Sequence, residues 1–216
     1  MKNTINVYSY LAIAVFMAIP FVSQAQMDDS RFGIKGGVNF TNFYQSDVGD
    51  QNIKTGFNVG LFTELAVAEQ FSIQPEVLLT TKGNKTTYGD DGGVLDFLNA
   101  DQEVKFNLTY IEIPLLAKLT LGEVLNIHAG PYAGYLIGAS SSFDGDLADG
   151  YEELNRDDFK TWDYGLAAGL GVDLDAVTIG ARYSLGLAKV GESGIWDNVL
   201  QDNKNSALQL YVGVGL

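Results

Sequence analysis

The 216-residue chain has no cysteine, one histidine and only 4 prolines, and its 13 Lys+Arg are outnumbered by 27 Asp+Glu. Without cysteine there is no disulfide scaffold, thiol nucleophile, iron–sulfur cluster or thiolate zinc site, and one histidine cannot form a multi-histidine metal centre within one chain. A net charge of −14 disfavours a nucleic-acid phosphate backbone as partner. Long apolar runs are also scarce: beyond residue 25 none approaches the 18 residues of a membrane-spanning helix.

What is present begins with a leader. Lys2 gives a positive start, residues 10–22 are almost unbroken apolar, and Ser23-Gln24-Ala25 offers a small-x-small cleavage site. This pattern predicts a secretory signal peptide over 1–25, too short in its apolar part for an anchor, and a single domain over 26–216.

From Phe32 onward apolar residues recur at every second position, the period of a strand with two different faces. Eight segments follow this pattern: 32–44, 54–67, 71–82, 104–119, 125–143, 159–174, 177–189 and 204–216. Most are far longer than the usual 5 or so residues of a globular strand. The connections after the second, fourth and sixth segments are tight, whereas those after the first, third, fifth and seventh are long. Together these features predict an all-β fold: an eight-stranded antiparallel transmembrane up-and-down β-barrel with short periplasmic turns and long extracellular loops.

A soluble ligand-carrying barrel would also have eight strands, but with its apolar face inside. In the second segment Phe57, Val59, Leu61 and Leu65 share one face, while Gly56, Asn58, Gly60 and Glu64 share the other. The seventh opposes Val177, Ile179, Ala181, Tyr183, Leu185 and Leu187 to Thr178, Gly180, Arg182, Ser184 and Gly186. A small, charged face cannot form an apolar pocket but can fill a narrow interior, so the apolar face is directed to lipid. Pro75, Pro114 and Pro131 are expected at bulges or local distortions. In the fourth segment, polar Lys105, Asn107 and Thr109 at odd positions give way to Glu112 and Lys118 at even ones, which suggests a bulge near Tyr110.

The sequence also resembles the PorT-like outer-membrane β-barrel family. The resemblance rests on Tyr110-Ile111-Glu112-Ile113-Pro114-Leu115-Leu116-Ala117-Lys118, Gln74-Pro75-Glu76, Gly130-Pro131-Tyr132-Ala133-Gly134-Tyr135 and Asp163-Tyr164-Gly165, in order along the chain. It implies an outer-membrane barrel inserted by the barrel assembly machinery, with Leu216 where such barrels usually end on an aromatic residue. It does not imply one activity, since its members do not share a single established one.

The inward charges predicted from parity are Lys35, Glu64, Glu76, Glu112, Lys118, Asp163 and Arg182, with Asp173 near the periplasmic rim. They are read as a salt-bridged plug rather than a conducting path, and Glu76 and Glu112 are expected to share one basic partner. His128 is also expected inside, as a hydrogen-bonded group rather than a catalytic base. Lys54, Lys82, Lys105, Lys160, Lys189 and Lys204 are read as rim contacts to lipopolysaccharide phosphates. The acidic stretch from Asp144 to Asp158 is read as a solvated loop, because its spacing fails the EF-hand pattern. No metal or cofactor is expected.

Without the leader the charge is −15, and residues 45–53, 83–103, 144–158 and 190–203 hold 17 acids against 2 bases. The barrel itself is therefore neutral and its loops acidic. The expectation is a monomeric, non-enzymatic, structural or surface-interaction protein of the Gram-negative outer membrane. It contacts outer-membrane lipid and lipopolysaccharide through its rim and an unidentified partner through acidic loops. A small porin is the alternative, with a secretion-associated factor or membrane enzyme less favoured.

Overall fold

The computed structural model describes residues 30–44, 51–88, 102–145, 150–153, 160–189 and 204–216. The leader segment with its expected cleavage site at Ser23-Gln24-Ala25 and most of the acidic loop residues lie outside these. Eight long strands dominate: β1 (Arg31–Tyr44), β2 (Lys54–Ala68), β3 (Phe71–Tyr88), β4 (Gln102–Leu121), β5 (Leu125–Gly145), β6 (Trp162–Leu174), β7 (Val177–Lys189) and β8 (Lys204–Gly215). Two short pieces, Gln51–Asn52 and Gly150–Glu153, pair with β3 and β5.

Each strand pairs antiparallel with its sequence neighbours, and β1 pairs with β8, with Ile34 opposite Val214. The sheet is therefore a closed eight-stranded barrel in which no long strand leaves an edge unpaired. Three connections are tight turns: Glu69-Gln70, Gly122-Glu123-Val124 and Asp175-Ala176. Asp175 and Gly122 adopt positive φ, 49° and 67°, which allow the chain to reverse in so few residues. Hydrogen bonds between the turns, such as Thr120 N to Gln70 O and Asp173 N to Val124 O, finish this end of the barrel.

The apolar face points outward. Val59, Leu61, Leu115, Ile127, Leu166, Leu170, Ile179 and Val212 are all exposed around the circumference. Toward the loop end Trp162 packs edge-on against Tyr135, with Tyr164 beside them, and toward the turn end Phe32 and Phe71 are exposed, so aromatic residues border the apolar belt.

Some expectations need correction. Strand β3 continues from Lys82 to Tyr88 and β4 begins at Gln102, while β6 begins at Trp162 rather than 159. Parity in β4 does not switch at Tyr110: Leu108, Tyr110 and Glu112 are all buried inside. Asn107 and Thr109 are polar because they lie on the outer face, above the apolar belt. A bulge does occur at this level, but in β5: Thr109 faces Gly138 and Tyr110 faces Leu136, leaving Ile137 unpaired. None of the register shifts falls on a proline; Pro75 faces Leu115, Pro114 faces Tyr132 and Pro131 faces Leu166 in continuous register.

Candidate functional site in the barrel lumen

Because side chains alternate along a strand, every second residue of all eight strands enters a lumen only a few side chains wide. These residues divide into three ionic layers along the barrel axis.

The layer at the turn end is the most exposed of the three through Arg31, although Glu64 and Lys118 are themselves buried. Lys118 Nζ lies 2.9 Å from Glu64 and 3.0 Å from Asp173, and Arg31 donates to Glu64 at 2.8 Å. Ser72 Oγ also donates to Glu64, while Asn126 and Thr178 donate to Asp173. Two cations and two carboxylates balance here.

The middle layer is buried. Arg182 grips Glu76 through two parallel bonds, Nη1 to Oε2 at 2.7 Å and Nη2 to Oε1 at 2.8 Å, and Gln74 donates to Oε1 at 2.6 Å. This fork geometry is the strongest form of an Arg–carboxylate pair. Lys35 reaches the same carboxylate only at 3.3 and 3.4 Å and lies 3.5 Å over the Tyr211 ring. His128 Nε2 accepts from Arg182 Nε at 3.3 Å, and its Nδ1 lies 3.1 Å from Asn126 Oδ1. An acceptor at Nε2 assigns the ring proton to Nδ1, so both nitrogens are engaged and neither is available as a base.

The upper layer is built around Lys82, which lies 2.5 Å from Glu112 and 3.0 Å from Asp163 and sits over the Tyr132 ring. Asp163 Oδ2 also accepts from Asn205 and Tyr132, so its donors converge on one oxygen and leave Oδ1 without a hydrogen bond.

The opposite wall makes room for these side chains. On β6 and β7 the inward positions include Gly165, Gly169, Gly171, Gly180 and Gly186. Across the ladder His128 faces Gly169, which faces Arg182. A Cβ on Gly169 would lie 2.6 Å from His128 Nε2 and 2.9 Å from the Arg182 Cα, so the His128–Arg182 contact requires glycine between them. Gly180 similarly accommodates the Tyr211 ring and Gly165 that of Tyr132.

All seven residues of the expected lumen network, and Asp173, therefore face inward, but their pairing differs from expectation. Glu76 and Glu112 share no cation: Glu76 takes Lys35 and Arg182, and Glu112 takes Lys82. Two lysines assigned to the outer rim belong to the interior. Lys82 is 1% exposed and Lys54 6%. Both occupy even positions, the inward parity of β2 and β3 that also carries Asn58, Glu64, Glu76 and Thr80. The alternation thus contained the correct reading, and proximity to a long loop was misleading. Lys160 and Lys204 are partly exposed. The side chains of Lys105 and Lys189 lie outside the described residues, as does most of the acidic segment 144–158. Sequence reasoning also missed Arg31 and the roles of Tyr132 and Tyr211 as rings beneath cations.

A closed barrel of this size, apolar outside and ionic inside, belongs to the class of small outer-membrane barrels. More specifically, the chain belongs to the outer membrane protein beta-barrel domain family, whose profile matches residues 23–191. Its fold is similar to that of Ail, the attachment invasion locus protein of Yersinia pestis, at 15% identity and a TM-score of 0.43, covering 87% of this chain and 99% of that one. It is also similar to Neisserial surface protein A, at 14% identity and a TM-score of 0.48, covering 85% and 96%. A third similar fold is OprG from Pseudomonas aeruginosa, at 11% identity and a TM-score of 0.37, covering 87% and 94%. No curated protein matches the chain.

Proposed function

We propose that this outer-membrane barrel is a non-conducting scaffold that holds acidic loops on the cell surface for interaction with a partner. The observation that carries the reading is the packing of the lumen. Lys35, Glu76, Lys82, Glu112, Asp163 and Arg182 are buried across its width, and they hold one another in place. Between the two lower layers the lumen leaves a cavity of only about 10 Å³, room for about one water molecule. A wider recess of about 450 Å³ lies at the turn end, beside Arg31, Glu64 and Phe71, and the middle layer separates it from the loop end.

In this reading the tight turns and both termini are periplasmic, and the four long connections, rich in Asp and Glu, are extracellular. A partner is then cationic or bridged by cations. Within the family the chain is read as PorT-like. The segments behind that resemblance supply the inner face: Glu112 and Lys118 from β4, Glu76 from β3, Tyr132 from β5 and Asp163 from β6. The remaining rim lysines, Lys105, Lys160, Lys189 and Lys204, are proposed to meet lipopolysaccharide phosphates.

Planar-bilayer recording from the folded full chain tests the plug: a flat current is expected, and stepwise conductance would establish the small-porin alternative. Surface proteolysis of intact cells tests the orientation. Cleavage within the long connections is expected, and cleavage only after the outer membrane is breached would reverse it.

A further inference from the structure

Lys82, Glu112 and Asp163 are arranged for more than an ion pair. They come from β3, β4 and β6, and each is at most 2% exposed. Across the ladder Glu112 faces Gly134, which faces Asp163, so the two carboxylates flank a residue with no side chain. Lys82 reaches both from β3: its Nζ lies 2.5 Å from Glu112 Oε2 and donates to Asp163 Oδ2 at 3.0 Å. An amine held against one carboxyl group, with a second carboxylate in contact to carry protons and bulk water excluded, is the arrangement that amide formation between side chains requires.

The surroundings favour that reaction. Buried Tyr110 and Tyr132 line the site, with the Tyr132 ring 4.2 Å and the Tyr110 ring 5.7 Å from Nζ, and buried Leu108 stands opposite Lys82 in the ladder. In so apolar a setting an ion pair is driven toward its neutral form, an amine and a carboxylic acid. The two oxygens of Asp163 also differ. Oδ2 accepts from Asn205 Nδ2 at 3.2 Å and from Tyr132 Oη at 3.4 Å, so donors already stand where negative charge would develop. Oδ1 is buried without a hydrogen bond. A Cβ on Gly186 would come within 3.1 Å of Oδ1, so the glycine keeps the space beside that oxygen open.

We propose that Lys82 and Asp163 join through an isopeptide bond between Nζ and Cγ, with Glu112 as the proton carrier. Lys82 first gives one ammonium proton to the Asp163 carboxylate, which leaves a neutral amine and a carboxylic acid. Nζ then attacks Cγ and passes a second proton to Glu112, while Oδ2 takes the negative charge. The Cγ–Oδ1 bond breaks, the departing hydroxyl collects the proton from Glu112, and one water leaves. The third proton stays on the amide nitrogen and Glu112 returns to its carboxylate form, so no oxidant, reductant or outside group is consumed. The bond ties β3 to β6 across the lumen, between residues 81 positions apart.

The test follows the intact mass of the full chain, first unfolded in urea and again after folding in detergent. The folded chain should weigh less by one water, and proteolysis should release a branched peptide that joins the Lys82 and Asp163 segments. Asp163→Asn should lose one ammonia instead, because the same attack then expels nitrogen. Asp163→Ala and Lys82→Arg should lose nothing. Glu112→Gln, similar in shape, should keep the folded gel band and lose the mass change. An unchanged mass after folding would overturn the bond in favour of a permanent salt bridge. So would a water loss that remains in Asp163→Ala, or one that maps as a cyclic imide to an Asp-Gly step such as Asp144-Gly145. A mass change that persists in Glu112→Gln would overturn the role given to Glu112. Where a variant does not fold, the mass and the branched peptide of the unaltered chain decide. Neither readout depends on conductance, so the bond can fail while the plug stands.

Discussion

The two walls of the lumen solve opposite halves of one packing problem. The β3–β4 wall supplies length and charge through Gln74, Glu76, Lys82, Glu112 and Lys118, each buried. The β6–β7 wall supplies space through Gly165, Gly169, Gly171, Gly180 and Gly186, with Arg182, Asp163 and Asp173 as its inward charges. Neither wall makes sense alone. Long charged side chains in a lipid-embedded barrel need partners at bonding distance, and they reach them because the far wall leaves that volume unfilled. The glycines are therefore part of the ionic network although they carry no charge.

Removing charge from the crowded wall should cost most. Glu76→Ala leaves Arg182 and Lys35 buried without their carboxylate, and a loss of about 3–5 kcal/mol is expected in urea unfolding of the detergent-folded barrel. Filling the empty wall comes next. Gly169→Ala drives a methyl group against His128 and the β7 backbone, with an expected loss of about 1–3 kcal/mol by the same measurement. A loss as small as that of a surface change would show that the glycine wall has slack. At the turn-end layer, Glu64→Gln keeps the shape but takes the charge that Lys118 and the more exposed Arg31 share, and about 1–2 kcal/mol is expected, less than for Glu76 because Asp173 still faces Lys118. Smallest of all is Gly36→Ala on the outer face, where an added Cβ meets only Asn58 O at an ordinary 3.8 Å. A change within about 0.5 kcal/mol would separate glycines that make room from those that merely occupy a strand.

The barrel was legible because its main determinants are local. Alternation in 71–82 or 177–189 fixes which side chains face lipid, and short turns such as Asp175-Ala176 fix which strands are neighbours. Partner choice inside the lumen was not legible, because it depends on the stagger of strands far apart in sequence. Arg182 meets Glu76 across the barrel, 106 residues away, and no count along the chain reveals that distance. Lys82 illustrates a different limit: its parity was readable, but its neighbourhood to a long loop suggested the rim. The bulge at Ile137 lies at the height where the polar pattern of β4 changes but in β5, since polar Asn107 and Thr109 mark the upper limit of the apolar belt rather than a change of parity.

The seam between the first and last strands has a kinetic meaning. Ile34 pairs with Val214 and Leu216 N donates to Phe32 O, so the ring closes only when the two ends of the barrel sequence meet. This is among the most non-local contacts the chain can make, and closing so large a loop is slow compared with forming the hairpins around Gly122 or Asp175. Until that moment both terminal strands expose unpaired backbone next to an apolar face, a state prone to pairing with other chains. The time between hairpin formation and seam closure is thus the interval in which an accessory factor that shields strand edges has the greatest effect on yield.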